Sequence, residues 1–214
     1  MFATIRTIIF DFGGVFIDWD PRYLYRRYFP GQPQAMENFL AEINFAKWNL
    51  EQDKGRPFAE AVASLSADFP QYAHLIHAYW EHWEDSIIGP INGSINVLHQ
   101  LKKSGYALYG LSNWSAETFP IAYRKYGFFK LFDDIILSGE VKLVKPDPAI
   151  FDLTLRRIQL SAPECLLVDD STVNIDVARQ LGFKAIHFQS PEQLETELLN
   201  LQLLKSPQWE EQYK

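Results

Sequence analysis

From residue 106 to residue 188 the sequence alternates between short apolar runs and longer segments whose apolar residues recur at helical spacing. An apolar run without polar alternation is typical of a β-strand that is covered on both faces. Alternation of such strands with helices predicts a mostly parallel sheet with helices on both faces, because parallel neighbours need crossover connections. The predicted strands are residues 6–10, 106–112, 133–138, 165–170 and 184–188.

The stretch between the first two of these strands has a different pattern. Between Pro21 and Ile88 there is no comparable apolar run, and aromatic and aliphatic residues recur at helical spacing, as in FLAEINFAKWNL. Breaks such as RPF and DFPQY divide the stretch into several segments. The pattern therefore predicts a helical insert within an alternating α/β domain.

The composition limits the classes of function. Of the 214 residues, 47% are hydrophobic and 22% are charged, as is ordinary for a globular protein. The net charge of -7 offers no basic surface for nucleic acid. No apolar run approaches the ~20 residues of a membrane span, and no secretory signal precedes Asp11, so we expect no membrane partner. Cys165 is the only cysteine, which excludes an internal disulfide and favours a cytoplasmic location.

Five polar residues lie at or just beyond the ends of predicted strands. Asp11 directly follows the first strand, and Ser112 ends the second. Lys145 follows the third strand, and Asp169 and Asp170 end the fourth. Because the carboxyl ends of parallel strands meet at one edge of a sheet, these side chains are expected to share a crevice. A single strand-end aspartate often only caps the next helix, but capping requires neither a lysine nor a hydroxyl at the same crevice.

The residue types in this set suit phosphoryl transfer. A carboxylate such as that of Asp11 can attack phosphorus and form an aspartyl-phosphate, which water then hydrolyses. Lys145 and a divalent cation would neutralise phosphoryl oxygens, and Ser112 with nearby backbone N–H groups would bind another. Aspartate oxygens without histidine or cysteine favour Mg²⁺ over zinc. The two glycines after Phe12 would let the backbone approach closely and adopt positive φ.

Four motifs resemble, in order, those of the haloacid dehalogenase-like (HAD) hydrolase superfamily: FDFGGV, LSN, KP and VDDSTVNID. The resemblance extends over residues 5–185. It implies an α/β fold with a Rossmann-like parallel-sheet core, helices on both faces and an inserted helical cap domain. The core would comprise residues 1–17 and 88–214, and the cap residues 18–87. The resemblance also implies a Mg²⁺-dependent phosphatase that acts on a small phosphorylated metabolite.

The resemblance assigns roles to individual residues. Asp11 would be the nucleophile and a ligand of Mg²⁺. Asp170, supported by Asp169, would complete the metal site, and Gly13 would offer its carbonyl oxygen to the metal. The residues that would bind the phosphoryl group of the substrate are Gly14, Ser112, Asn113 and Lys145.

One position departs from the family's pattern. Phosphatases of the family usually carry a second aspartate, a general acid, two residues after the nucleophile, and here that residue is Gly13. Loss of a positioned acid typically removes a factor of ~10² to 10⁴ in rate. Asp18 or Asp20 is a candidate substitute acid, although Asp18 is equally well explained as a helix cap before Pro21. Alternatively, the leaving group needs little protonation, as in an anomeric or acyl phosphate. The stretch DFGGVFIDWD is similar to bacterial glucose-1-phosphatase-like members, which makes a sugar phosphate the expected substrate.

Two alternative functions stay open on the sequence alone. Haloacid dehalogenases also lack the second aspartate, because their nucleophile displaces halide at carbon without a metal or a general acid. They tend to have serine and asparagine in the fourth motif, whereas DDS at residues 169–171 favours a cation site. A non-catalytic member that binds a ligand or a protein through its insert would also explain Gly13, but retention of Lys145 among carboxylates argues against it.

Two further constellations are rejected. Ser112, Asp169 and His187 follow the chain order of an α/β-hydrolase triad, but Trp114 is too large for the close strand–helix crossing of that fold. A zinc site would need a different spacing of the insert's three histidines. These are His74, His77 and His82.

The sequence gives no code for substrate choice or for the oligomeric state. Tryptophan more often packs inside a protein than contacts a substrate. The possible substrate contacts in the insert are Trp19, Lys47 and Trp48.

Overall fold

A computed structural model describes residues 4–205 of the chain. Its strands are β1 (Thr7–Phe10), β2 (Ile17–Trp19), β3 (Ile87–Pro90), β4 (Ala107–Ser112), β5 (Asp134–Leu137), β6 (Cys165–Asp169) and β7 (Lys184–His187). Five of them form one sheet in the order β5-β4-β1-β6-β7, and every neighbouring pair in it is parallel. The first strand of the chain is therefore the central strand, flanked by β4 and β6.

Helices cover both faces of this sheet. They are α6 (Asn92–Lys103), α7 (Phe119–Lys125), α8 (Ser138–Val141), α9 (Pro148–Ile158), α10 (Thr172–Gln180) and α11 (Pro191–Asn200), numbered after the five helices described next. Ile8 and Phe10 of β1 belong to one hydrophobic cluster, which includes Leu98 of α6. Ile9 belongs to a second cluster, which includes Phe151 of α9. All four residues of β1 are buried because successive side chains enter opposite, helix-covered faces.

The helical insert lies between β2 and β3. It comprises α1 (Pro21–Tyr25), α2 (Pro33–Glu42), α3 (Phe45–Asp53), α4 (Phe58–Asp68) and α5 (Ala73–Glu81). Short 3₁₀ turns are formed by residues Pro70–Tyr72, Trp83–Ser86, Gly127–Leu131 and Ala162–Glu164. Aromatic side chains fill the insert: the ring of Tyr79 stacks on Tyr25 and meets Phe45 edge-on, with centroids 4.9 Å apart for the second pair. The same hydrophobic cluster contains residues of the insert and of the sheet, so the insert packs directly on the core.

The α/β fold and the helical nature of the insert are confirmed, and the predicted strands agree with the structure to within a residue or two. The antiparallel pair β2–β3 at the base of the insert was not predicted. Both strands are only three or four residues long, and Gly89 and Pro90 in β3 are poor strand formers.

Candidate active site

Residues from three strand ends meet at the carboxyl edge of the sheet. The last residue of β1 pairs with Gly110 of β4 and with Val168 of β6, which aligns the ends of the three strands. Asp11 directly follows β1, whereas Ser112 is the last residue of β4 and Asp169 the last of β6. Their side chains consequently come together, as the strand pattern predicts, and the hydroxyl of Ser112 donates to Asp11 Oδ1 at 2.7 Å.

Lys145 joins this group from the loop between α8 and α9. Its Nζ lies 3.0 Å from Asp11 Oδ2 and 2.6 Å from Asp169 Oδ2, and the side chain is fully buried. Burial acts to lower the pKa of Lys145, but Asp11 and Asp169 outweigh it and raise the pKa above the ordinary value. Asn113 fixes the lysine backbone, because its Nδ2 donates to the Lys145 carbonyl at 2.9 Å and its Oδ1 accepts from the Lys145 N–H at 2.8 Å. The lysine is thus a permanently charged and rigidly held group.

The carboxylate of Asp11 is oriented through both of its oxygens. Oδ1 accepts from the Ser112 hydroxyl and, at 2.7 Å, from the backbone N–H of Phe12, while Oδ2 faces Lys145. Burial raises the pKa of Asp11 to about 6, against the opposing effect of Lys145. The carboxylate is therefore the main form at neutral pH.

Asp169 is committed to partners within the protein. Besides Lys145, its oxygens accept from the backbone N–H of Ser171 at 2.9 Å and from Asn174 Nδ2 at 3.0 and 3.1 Å. Asn174 was not singled out by the sequence analysis, although it lies within VDDSTVNID. Asn174 follows Ser171 by one helical turn, which directs its side chain back toward Asp169, and this spacing is the signal that could have identified it. Asp169 and Asn174 together hold the lysine against Asp11.

Asp11, Asp169 and Asp170 each offer a carboxylate oxygen, and these oxygens lie within 4.8 Å of one another. A donor set made only of oxygens fits Mg²⁺, whereas zinc prefers histidine or cysteine. Burial raises the pKa of Asp170, and the charge of Asp169 raises it further, because the two like charges repel each other. A divalent cation among them would relieve this repulsion.

Gly14 lies against the carboxylate of Asp170. Its φ is +69°, and a Cβ added to it would lie 2.2 Å from Asp170 Oδ2 and 2.7 Å from its Cγ. Only glycine fits this conformation and this approach. A Cβ on the neighbouring Gly13 would meet no atom within 4 Å.

A cavity of about 100 Å³ opens beside Asp11, between the sheet edge and the helical insert. Much of its wall is aromatic and is formed by Trp19, Phe58, Tyr79, Trp83 and Trp114. Its polar wall is formed by Asp11, Gly13, Asn49, Asp53, Ser112, Asn113, Ser115 and Thr118.

The aspartates considered as substitute acids lie elsewhere. Of the described residues, 4–205, the ones that line the cavity include neither Asp18 nor Asp20. Asp18 Oδ1 accepts from the hydroxyl of Tyr23 at 2.8 Å, and Asp20 is the N-cap of α1, accepting from the backbone N–H of Arg22 at 2.8 Å. The helix cap before Pro21 is thus Asp20 and not Asp18. The cavity instead contains Asp53, which no sequence motif singled out.

The three possible substrate contacts of the insert lie in different surroundings. Trp19 lines the cavity, but Trp48 is buried in the insert, where its Nε1 donates to the Ala61 carbonyl at 3.2 Å. Lys47 is exposed, and in the described part of the chain the cavity wall contains neither Lys47 nor Trp48. Packing is the observed role of Trp48.

The family model described as "Haloacid dehalogenase-like hydrolase" matches residues 8–188, a range that contains every side chain of the Asp11 site. The chain belongs to the haloacid dehalogenase-like hydrolases. The carboxylates and the lysine described above therefore belong to a hydrolase of this family.

Curated relatives match most of the chain. Drimenol cyclase drtB of Aspergillus calidoustus is 32% identical over 204 residues, which are 92% of this chain and 36% of that protein. The chain thus spans about a third of the length of drtB. Sesquiterpene phosphatase astK of Aspergillus oryzae is 26% identical, covering 87% of this chain and 91% of that protein. D-ribitol-5-phosphate phosphatase of Bacteroides thetaiotaomicron is 24% identical, covering 84% and 90%.

Solved structures share the fold. A HAD family enzyme from Bacteroides thetaiotaomicron, solved with magnesium and inorganic phosphate, has a TM-score of 0.66 and 24% identity, covering 87% of this chain and 95% of that one. A structure described as a dehalogenase has a TM-score of 0.66 and 17% identity, covering 86% and 85%. Because enzymes described in such different terms share this fold, the fold alone does not show which reaction the chain catalyses.

The structure also answers the rejected alternatives. Ser112 donates to Asp11, and His187 Nε2 lies 2.9 Å from the backbone carbonyl of Asp170, so the serine and the histidine form no hydrolase triad. Within residues 4–205 the histidines of the insert belong to no cluster suited to a metal ion. In the same part of the chain, no helix has the length and apolar character needed to cross a membrane.

Proposed function

We propose that the protein is a Mg²⁺-dependent phosphatase that hydrolyses a small phosphorylated metabolite through an aspartyl-phosphate on Asp11. The observation that carries this proposal is the buried group of Asp11, Lys145 and Ser112 beside the carboxylate of Asp170. A nucleophilic carboxylate needs an ionised oxygen held in one orientation and positive charge for the phosphoryl oxygens. The site provides both.

Asp11 is the nucleophile in this proposal. Ser112 and the Phe12 N–H hold Oδ1 through hydrogen bonds of 2.7 Å, which restricts rotation of the carboxylate. Lys145 and Ser112 carry donors that the phosphoryl group can share, and Asn113 fixes the position of Lys145. Gly14 brings its backbone close to the same place. Together these residues orient the substrate and offset the charge that collects on phosphoryl oxygens.

Asp11, Asp170 and the Gly13 carbonyl would hold Mg²⁺, with Asp169 as a supporting carboxylate. The oxygen-only donor set fits that ion. When bound, Mg²⁺ supplies charge neutralisation for the phosphoryl group. Hydrogen bonds from Lys145 and Asn174 keep Asp169, the supporting carboxylate, in place.

The helical insert, residues 18–87, is proposed to act as the cap that receives the leaving group. A sugar phosphate is one candidate, supported by relatives such as the phosphatase named for D-ribitol 5-phosphate. A phosphate ester with an apolar leaving group is a second candidate. It is favoured by the aromatic cavity wall and by the relative named as a sesquiterpene phosphatase. A cytoplasmic location, inferred from the single cysteine, completes the proposal.

Dehalogenation is the alternative chemistry. The site favours phosphoryl transfer because Asp170 adds a third carboxylate, for which displacement of halide at carbon has no use. A lysine–aspartate pair without Asp170 would be sufficient for either reaction. The two reactions therefore differ in their need for the cation.

Phosphate release from a panel of phosphomonoesters, with Mg²⁺ and with EDTA, tests the proposal. The panel contains sugar phosphates, anomeric phosphates, prenyl phosphates and substituted phenyl phosphates. We expect Mg²⁺-dependent release by the wild type and none by Asp11→Asn, whose fold is checked by circular dichroism. Halide release from a 2-haloacid that persists in EDTA, without phosphate release from the panel, would establish the dehalogenase instead.

A further inference from the structure

Asp11 shares its cavity with a second carboxyl group that comes from the helical insert. Of the described residues that line the cavity, only Asp11 and Asp53 carry carboxyl groups. Asp53 is the last residue of α3. Gly13, two residues after Asp11, has no proton to give, so the edge of the sheet supplies no acid at that position. The opposite wall of the cavity, which the insert forms, supplies the carboxyl group of Asp53.

We propose that Asp53 protonates the oxygen of the leaving group when Asp11 attacks phosphorus, and that its carboxylate then activates the hydrolytic water. The inference rests on the phosphatase function proposed above. It replaces Asp18 and Asp20 as substitute acids.

The position of Asp53 between two cavities suits this role. A second cleft of about 530 Å³ lies within the insert, lined by residues that include Arg22 and Glu37. Three residues line both cavities: Trp19, Asn49 and Asp53. A substrate with its phosphoryl group beside Asp11 and its leaving group in the larger cleft would pass this junction. The bridging oxygen, which is the atom that needs a proton, would then lie near Asp53.

Hydrogen bonds hold the Asp53 side chain in place. Asn49 Nδ2 donates to Asp53 Oδ2 at 3.2 Å, and the Tyr79 hydroxyl donates to Asn49 Oδ1 at 3.0 Å. The backbone N–H of Ser115, just beyond β4, acts to lower the pKa of the carboxyl group. The Asp53 side chain is thus held by hydrogen bonds within the insert.

The backbone around Asp53 is anchored to the core as well. The carbonyl of Asp53 accepts from Ser138 Oγ at 2.5 Å. A Cβ added to Gly55 would lie 2.8 Å from the carbonyl oxygen of Gly139, so the chain after α3 approaches α8 very closely. These contacts fix the distance between the insert and the carboxyl edge of the sheet at this point.

The surroundings keep Asp53 in the protonated form that an acid needs. Burial raises the pKa of Asp53 to about 8; the Ser115 N–H opposes this rise and the charge of Asp11 adds to it. The other titratable groups that face it are the phenol of Tyr79, whose pKa burial raises well above the ordinary value, and the Arg22–Glu37 ion pair across the larger cleft. No cation borders the smaller cavity among its described lining residues, so the proton is retained at neutral pH.

The proton and the bonds balance over the cycle. In the first step Asp11 Oδ bonds to phosphorus, the bond from phosphorus to the leaving-group oxygen breaks, and that oxygen takes the proton of Asp53. In the second step water attacks phosphorus and gives a proton to the Asp53 carboxylate, and the bond to Asp11 breaks. Alcohol and inorganic phosphate are released, and both aspartates return to their starting forms.

Phenyl phosphates of different leaving-group basicity provide the test. Asp53→Asn is compared with Asp68→Asn, because Asp68 is the last residue of α4 in the same insert and is exposed. We expect Asp53→Asn to lower kcat/KM for phenyl phosphate by at least ~10² and for p-nitrophenyl phosphate by less than ~10, because kcat/KM reports the step that expels the leaving group and nitrophenolate leaves without a proton. Asp68→Asn should match the wild type on both substrates.

Equal losses on the two substrates, or no loss, would overturn the inference. So would a leaving-group dependence that appears in Asp18→Asn and not in Asp53→Asn. If Asp53→Asn does not fold, the pH profile of the wild type decides: kcat/KM for phenyl phosphate should fall as Asp53 loses its proton at alkaline pH, and kcat/KM for p-nitrophenyl phosphate should not. A wild type that releases no phosphate from any ester with Mg²⁺ would instead refute the proposed function itself.

Discussion

Replacing Gly14 by alanine tests how closely the backbone after β1 must approach the carboxylate of Asp170. Two costs arise. The residue has φ of +69°, and an L-residue with a Cβ loses about 1–2 kcal/mol in that left-handed region. The new Cβ would also lie 2.2 Å from Asp170 Oδ2 and 2.7 Å from Cγ, far inside van der Waals contact.

The clash between the new Cβ and Asp170 can be relieved or endured in one of two ways. If Asp170 stays in place, overpacking adds about 1–3 kcal/mol to the loss of stability. Asp170 is exposed, so we expect its side chain to turn away from the donor set instead. The free energy of unfolding should then fall by only about 1–2 kcal/mol. The affinity for Mg²⁺ should fall by at least about tenfold, which corresponds to ~1.4 kcal/mol.

Gly13→Ala is the matched control, because Gly13 has no positive φ and a Cβ there meets no atom within 4 Å. Urea denaturation in EDTA measures the free energy of unfolding of both variants, and isothermal titration with MgCl₂ measures metal affinity. Gly13→Ala should stay within about 0.5 kcal/mol of the wild type, or gain slightly. Equal stability and equal Mg²⁺ affinity in the two variants would refute the argument that Gly14 makes room for Asp170.

Three further predictions concern the charged groups of the site. Lys145→Met removes the cation shared by Asp11 and Asp169, and should cost about 3–5 kcal/mol of stability in urea denaturation and abolish phosphate release. Asn174→Ala frees the carboxylate of Asp169, and should lower kcat/KM for p-nitrophenyl phosphate by ~10- to 100-fold with little change in fold by circular dichroism. The pKa of Asp53 in the folded protein is about 8, above the ordinary 3.8. Between these values the folded protein retains a proton that the unfolded chain loses. The free energy of unfolding therefore falls as pH rises from about 4 to about 8. Asp53→Asn removes this loss and should therefore become more stable relative to the wild type between pH 5 and pH 8, as measured by urea denaturation in EDTA; an unchanged difference would contradict the raised pKa.

The sequence predicted the parts of the site that depend on strand order alone. Asp11, Ser112 and Asp169 follow or end apolar runs, and parallel strands place such ends at one edge. Lys145 was predicted for the same reason, although its exact ion pairs depend on a loop. These are local patterns joined by one topological rule, and no side-chain packing is needed to read them.

Asp53 and Asp18 show which features of the site strand order does not predict. Periodicity predicted helices in the insert, but it does not reveal which helix end faces Asp11, because that depends on the packing of α3 against α8. Asp18 is close to Asp11 in the chain, yet the short β2–β3 pair carries it to a hydrogen bond with Tyr23. Sequence proximity therefore favoured an aspartate that does not line the cavity, and only the tertiary structure places Asp53 there.

The central claim is that Asp11 becomes phosphorylated during turnover. Rapid acid quench of the wild type with Mg²⁺ and p-nitrophenyl phosphate, followed by mass spectrometry of the peptide that contains Asp11, tests it directly. We expect one phosphoryl group on Asp11, formed before phosphate is released, lost on treatment with hydroxylamine, and absent from Asp11→Asn. Phosphate turnover that continues in Asp11→Asn, or that proceeds in the wild type without phosphate on Asp11 at any quench time, would contradict the proposed mechanism.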